Sequence, residues 1–309
     1  MHTRREVIRR GAVAATAAGT GVVAGCLGAE ETADVDEAFE LLDENFQVIG
    51  EFDELEEEEL PDQAEISGVR ERADEAEALL IAAEDGAEDD ELQDAIELGL
   101  DLVEFQRDAA RFSEALIDAM NALDVFDARL AADQHDEAIE AAEDGQQALE
   151  TANDALSSLI DTLAEIDEDH DAIQDRVDLL VSVDKLETAD DELDVLEEIV
   201  SALEGMARGL QAFEAGLEAL EEEEFDKADT HVTDAKSEFE DVADQFDELE
   251  ADPDVPAHME ADVIELNAEA TALSDAIGHF QQAVEAADDG DWDEMDEQLD
   301  AMEAAIDGL

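Results

Sequence analysis

The chain has 309 residues and a formal charge of −82 at pH 7, from 96 Asp and Glu against 14 Lys and Arg. Such a body repels phosphate backbones, so a nucleic-acid partner is excluded, and an anionic lipid surface suits it no better. Its single Cys, Cys26, excludes an intrachain disulfide framework.

Four of the 14 basic residues cluster in the first stretch. Arg4, Arg5, Arg9 and Arg10 flank and precede an apolar run over 11–25 built of Ala, Gly, Val and Thr. That run falls short of the roughly 20 residues a membrane-crossing helix needs. A positive start, an apolar middle and small residues before a cleavage point are the layout of a secretory signal. Thr3-Arg4-Arg5, with Val7-Ile8-Arg9 after it, resembles the twin-arginine (Tat) export signal. Val23-Ala24-Gly25-Cys26 resembles a lipobox. The resemblance is confined to the first 28 residues. It implies a signal peptide over 1–25 that is removed, lipid on the Cys26 sulfur, and a tether over 26–34 that holds the protein to the extracellular face of the cell membrane. A plain signal peptide is the alternative for the same stretch.

The signal holds four Arg and one Glu, which leaves 10 basic and 95 acidic residues from Cys26 onward, a charge of −85. In dilute salt such a chain repels itself and resists compaction. In molar salt the Debye length falls to about 3 Å and most of that repulsion is screened. Lys is reduced to Lys185, Lys227 and Lys236, Tyr is absent, and Ala or Val often stands where a larger apolar residue would serve. The composition resembles that of acidic proteins of halophilic archaea, which implies that the charge adapts the surface to brine. High charge with few aromatics also describes disordered chains. Here 45% of residues are apolar and recur regularly, which predicts folding.

Val35, Phe39, Leu42, Phe46, Ile49, Phe52 and Leu55 recur in steps of three and four, the period of one helix face, and Pro61 ends that helix. Residues 63–84 predict a second helix with Ile66, Val69, Ala73, Ala76 and Leu80 inside, broken at Asp85-Gly86. Residues 91–130 carry one stripe, enough for about 60 Å of helix. After a turn at 133–136, a return helix runs to 168. Its face is lined by Ala138, Ala141, Ala148, Ala152 and Ala155, small enough for close approach. A shorter helix is expected over 171–184, with 183–190 undecided between helix and break. A stripe over 193–220 and a return helix over 225–249 follow. Asp252-Pro253-Asp254-Val255-Pro256 is the strongest break. Pro256 suits the first position of a helix, whose stripe runs from Met259 to Val284, and 292–306 forms the last helix. Gly99, Gly205 and Gly209 fall inside helices and mark close packing or a pocket wall.

No stretch alternates with β-branched residues, so no sheet is predicted, and short connections make successive helices antiparallel neighbours. The expected fold class is all-α: about eight or nine antiparallel helices, as an elongated bundle or stacked hairpins. Residues 35–252 are expected to form a bundle, with 253–309 a C-terminal hairpin packed on it. Leu92, His135, Phe225 and Trp292 each open a return helix, 12 positions after an apolar residue. Three continue alike: His135-Asp136-Glu137-Ala138, Phe225-Asp226-Lys227-Ala228 and Trp292-Asp293-Glu294-Met295. This is similar to the start of tetratricopeptide-like helical hairpins. The spacings of 43, 90 and 67 residues depart from that family's fixed period near 34, and any antiparallel hairpin needs an apolar residue after its turn.

Chemistry is harder to find. Di-iron bundles place Glu-x-x-His on facing helices. Three residues before His135, His170, His231, His258 and His279 stand Ala132, Asp167, Ala228, Val255 and Ala276, so that motif is absent. Asp275 and His279 share a helix face, a spacing that serves a metal but more often a surface ion pair. No acidic turn has the alternating acids of a calcium-binding loop. No catalytic residue, cofactor or metal site is assigned. Trp292, the lone Trp, is expected in the core, capping the last hairpin, rather than as a binding anchor.

The expected function is that of a non-enzymatic cell-surface lipoprotein, a helical scaffold or adaptor that binds another envelope protein in high salt. The alternative is a sensor component of the envelope that binds a small molecule or a cation between helices. That requires polar residues interrupting apolar stripes at matched depths, and no such set stands out. An enzyme with dispersed carboxylates is a third reading.

Overall fold

The computed structural model describes residues 31–52, 63–84, 86–87, 90–169, 183–253 and 255–306. They form eight helices: α1 (Glu31–Phe52), α2 (Gln63–Glu84), α3 (Asp90–Leu130), α4 (His135–Asp169), α5 (Val183–Glu221), α6 (Phe225–Ala251), α7 (Glu260–Asp288) and α8 (Trp292–Ile306). Among the described residues there is no strand, so the fold is all-α. The signal stretch with Cys26 lies outside the described residues, as do Leu55, Pro61 and residues 171–182 of the short helix expected over 171–184.

Most helices take the bounds their stripes predict, and α2 and α8 match them residue for residue. Three bounds add to what the stripes predict. Helix α1 runs from Glu31, so 31–34 are helical. Helix α5 starts at Val183 and runs unbroken through 183–190. Helix α7 starts four residues after Pro256 because the proline link turns first: Val255 N–H bonds Asp252 O (3.4 Å) and Met259 N–H bonds Pro256 O (2.8 Å).

The described residues divide into two compact units, one built from those up to 118 with 148–193, the other from 119–147 with 194–306. In the first, α2 is antiparallel to α3. Leu80 meets Gly99, Arg107 meets Asp74 and Glu77, and Glu114 meets Arg70, so positions on one helix fall as those on the other rise. The five core residues predicted for α2 are all fully buried. In the second unit, α5 and α6 are antiparallel by the same logic, with Gly205 against Val242, Gly209 against Phe239 and Gly216 against Val232. Helix α7 packs on α6, and α8 packs on α7. Ala228, Val232, Ala235, Phe239, Ile277, Phe280 and Val284 form the centre of this core, with the Phe213 ring edge-on to Phe280 at 5.1 Å.

Three of the four hairpin turns singled out by sequence share one backbone solution. A residue in the left-handed region stands two before the return helix: Asp133 (φ 57°), Glu223 (φ 62°) and Gly290 (φ 75°). Its N–H bonds the carbonyl three back (Leu130, Leu220, Ala287; 3.0–3.1 Å), and the next N–H bonds the carbonyl five back (Arg129, Ala219, Ala286; 2.8–2.9 Å). This is the Schellman closure, which satisfies carbonyls that a helix end leaves open. The following residue opens the return helix as His135, Phe225 or Trp292. The turn between α2 and α3 differs, with Gly86 and Ala87 bonding Ala83 and Glu84 three residues back.

Two of these turns lead into the same burial register. Ala138, Ala142, Gly145 and Leu149 of α4 are buried, as are Ala228, Val232, Ala235 and Phe239 of α6. The matching residues of α8 are Met295, Leu299, Met302 and Ile306, and none is buried.

Glu223 holds a conformation that costs a side chain with a Cβ about 1–2 kcal/mol. Glu223→Gly is expected to stabilise the protein by up to about 1 kcal/mol, and Gly290→Ala to destabilise it similarly, in thermal unfolding at one fixed salt concentration.

A Cβ at Gly209 would meet the buried Phe239 ring at 2.8 Å, whereas one at Gly278 meets nothing within 4 Å. Gly209→Ala should therefore lose about 1–3 kcal/mol, and Gly278→Ala should gain up to about 1 kcal/mol from helix propensity. Denaturant midpoints shifting the same way in both variants would contradict this reading of the packing.

Candidate functional site

A buried polar group interrupts the apolar core of the first unit. Asn45 of α1 and Gln106 of α3 are both wholly inaccessible to solvent. Asn45 Nδ2 donates to Gln106 Oε1 (2.7 Å) and to the Val69 carbonyl (2.9 Å). Gln106 Nε2 donates to the Leu42 carbonyl (2.9 Å), and Arg72 Nε donates to Asn45 Oδ1 (2.6 Å). Three helices are thus tied at one height. This is a polar set at matched depth of the kind a small-molecule site would need, and sequence reasoning missed it. Its hydrogen bonds, however, run to one another and to backbone. The available signal was a second stripe on α1, Ala38, Leu42, Asn45 and Ile49, in steps of four, three and four.

Scarce cations sit where acidic helices meet. Five of the ten basic residues after Cys26 fall on α2 and α3: Arg70, Arg72, Arg107, Arg111 and Arg129. Arg107 bridges Asp74 (2.5 Å) and Glu77 (2.6 Å), and Arg70 pairs with Glu114 (2.8 Å). The hydrogen bond from Arg107 is the main reason the Glu77 carboxyl is held below its ordinary range. Elsewhere carboxyls are pushed up. Burial, with Asp191 adding to it, raises Glu192 of α5 to about 7. Glu198 is raised by burial, then by Asp252, Asp194 and Glu248. A raised carboxyl is one mark of an acid–base site, but no group of three His, Cys, Asp or Glu among the described residues is placed to hold a metal ion.

The second arrangement is the outer edge of α8. Trp292 is 54% exposed, which corrects its expected place in the core. The residue that seals the return helix lies three positions further on, as the burial of Ala138 and Ala228 shows, while the opening position sits at the helix end. Leu299 and Met302 lean partly on the core of the second unit. On one flank, Gln298 meets His279 Nδ1 of α7 at 3.0 Å, so His279 has Gln298 rather than Asp275 as its partner. On the other flank, Asp293, Asp296, Asp300 and Glu303 form an exposed acidic row in steps of three and four.

The remaining sites proposed from sequence, Arg4, Arg5, Val23, Ala24, Gly25 and Cys26, lie outside the described residues. Gly99, Gly205 and Gly209 mark close packing, since a Cβ at each would stand 2.7–2.8 Å from Leu80, Val242 or Phe239. No described helix is long and apolar enough to cross a membrane. The chain matches no protein-family model, no curated protein and no solved structure.

Removing one partner from the buried group strands the others at about 1–3 kcal/mol each. Asn45→Leu should cost about 2–3 kcal/mol, and Asn45→Leu with Gln106→Leu should cost less than the sum of the single changes. Strict additivity in urea unfolding would mean the two side chains act independently.

Glu192 also makes a pH prediction. A carboxyl raised in the folded state binds its proton more tightly there than in the unfolded chain. Its contribution to stability therefore falls as pH rises from about 4.5 to about 7. Glu192→Gln should melt higher than the parent at pH 8, with the difference vanishing by pH 4. A constant difference across that range would show that Glu192 does not titrate as its burial implies.

Proposed function

We propose that this protein is a non-enzymatic surface lipoprotein, held by lipid on Cys26 to the extracellular face of the cell membrane, where its helical body is a scaffold or adaptor for another envelope protein in high salt. The observation that carries the proposal is the ordered run of Arg4-Arg5, a short apolar stretch and Val23-Ala24-Gly25-Cys26 at the head of a chain with no other Cys. The acidic body supports it. A surface this negative has little affinity of its own for anionic lipid, so a covalent anchor is what would keep it at a membrane. The all-α fold supports the adaptor half, because stacked helices offer long faces to a partner helix.

The anchor is tested by fractionation. Cys26→Ser should move the protein from the membrane pellet to the soluble fraction, and Arg4→Lys with Arg5→Lys should retain it inside the cell. A Cys26→Ser variant that still pellets with membranes would overturn the lipid anchor. Cross-linking and affinity capture from intact cells at molar salt test the adaptor. A stoichiometric envelope protein is expected, and its absence from a folded, membrane-bound sample would overturn that half.

A further inference from the structure

We infer that the outer edge of α8 is a docking site for one amphipathic helix of another protein, a helix whose apolar stripe is flanked by Lys and Arg. The inference rests on the adaptor reading above and names the surface and the chemistry of its partner.

The argument starts from the shared hairpin register. Ala228, Val232, Ala235 and Phe239 of α6 are each 0% exposed, because α5 lies on one side and α7 on the other. The three-residue turns place Met295, Leu299, Met302 and Ile306 of α8 at the same four positions, 67 residues later. There the side chains are larger, yet no residue of α8 is buried and Ile306 is 36% exposed. Helix α7 covers one side of α8. Among the described residues, the side of α8 away from α7 stays open where the matching side of α6 is covered.

Spacing and charge specify that helix. Trp292, Met295, Leu299, Met302 and Ile306 repeat in steps of three and four, the seam of a two-helix coiled coil. The 15 residues of α8 give about 22 Å of contact. Flanking charges set partner choice in such seams. The flank toward α7 is taken by the Gln298–His279 contact. The open flank carries Asp293, Asp296, Asp300 and Glu303, all exposed. A second copy would bring the same acids to the same edge and, from Cys26 onward, a further charge of −85. A helix flanked by Lys and Arg pairs with that row instead. At the start of the seam, the exposed Trp292 ring suits an Arg or Lys over its face.

The lone Trp reports directly on the site. The full mature chain is titrated with two synthetic 15-residue helices that share one apolar stripe, one flanked by Lys and Arg, the other by Glu. The salt is the lowest at which circular dichroism shows the chain folded. The basic peptide should shift Trp292 emission to the blue and protect it from acrylamide, while the acidic peptide does neither. Asp296→Lys with Asp300→Lys and Glu303→Lys changes only exposed positions. It should weaken the basic peptide at least tenfold and admit the acidic one, with the melting curve checking the fold.

Any of four results would overturn the inference: no Trp292 response to the basic peptide, equal binding by the charge-reversed variant, equal binding of a basic peptide with a scrambled stripe, or a Trp292 shift with protein concentration alone, which would assign the edge to a second copy. Cross-links from intact cells that capture a partner on helices other than α8 would overturn this docking site and leave the adaptor reading standing. Peptide binding by a protein that captures no envelope partner would do the reverse.

Discussion

Repulsion between acidic helix faces sets the terms on which this fold exists. Every helix carries carboxylates outward, and like charges act over longer distances than the contacts that hold helices together. Burial wins where neighbours come close. Gly205 and Gly209 bring α5 onto Val242 and Phe239, and Gly99 brings α3 onto Leu80, at separations that leave no room for a methyl group. At about 25 cal/mol per Å², Ala and Val faces become effective when close approach leaves no gap. The cations follow the same logic. Arg107 lies between Asp74 and Glu77, and Arg208 beside Glu204 and Glu143. Each exposed pair adds little by itself, but each replaces a repulsive meeting with an attractive one.

Stripes of small apolar residues choose a face but not a height. A helix lined with Ala could slip by one turn, about 5.4 Å, and still bury Ala. Buried and part-buried polar pairs remove that freedom. In the first unit, Asn45 and Gln106 match only at one height. In the second, Asn267 of α7 donates to Asp247 (2.8 Å) and Glu250 (3.0 Å) of α6, and Gln146 of α4 donates to Glu204 of α5 (3.1 Å). A single buried polar residue is a well-attested way to fix register between helices. Lys236, which reaches Gln281 across the same pair of helices, extends the series to the surface.

Helix existence was legible because the period of three and four is strong throughout. The predicted interior of α2 is the observed one, and the stripe of α3 is buried from Leu92 to Phe126. The number of neighbours each helix has was not legible. Periodicity identifies an apolar face without revealing whether one helix or two will cover it. That is why Trp292 was placed in a core that α7 alone does not complete. Asn45 escaped for a related reason. Two stripes on α1 share Leu42 and Ile49, and only tertiary contact decides between Phe39 and Asn45. The start of α5 was obscured by its acids. The stretch 183–190 stood undecided between helix and break, yet the helix runs from Val183, and Glu192 just beyond that stretch is buried at 3% exposure.

Helix α1 begins at Glu31, only five residue steps from Cys26. A chain spans at most about 3.6 Å per residue, so a lipid on Cys26 would hold the first turn of α1 within about 18 Å of the headgroups. A leash that short would leave the body no room to drift away from the lipid surface. Where the Debye length is about 10 Å, an anionic surface would press back on it, and where it is about 3 Å the two would tolerate near contact. Ambient salinity would then set the stand-off height of the molecule, and with it how far its helices reach outward from the cell.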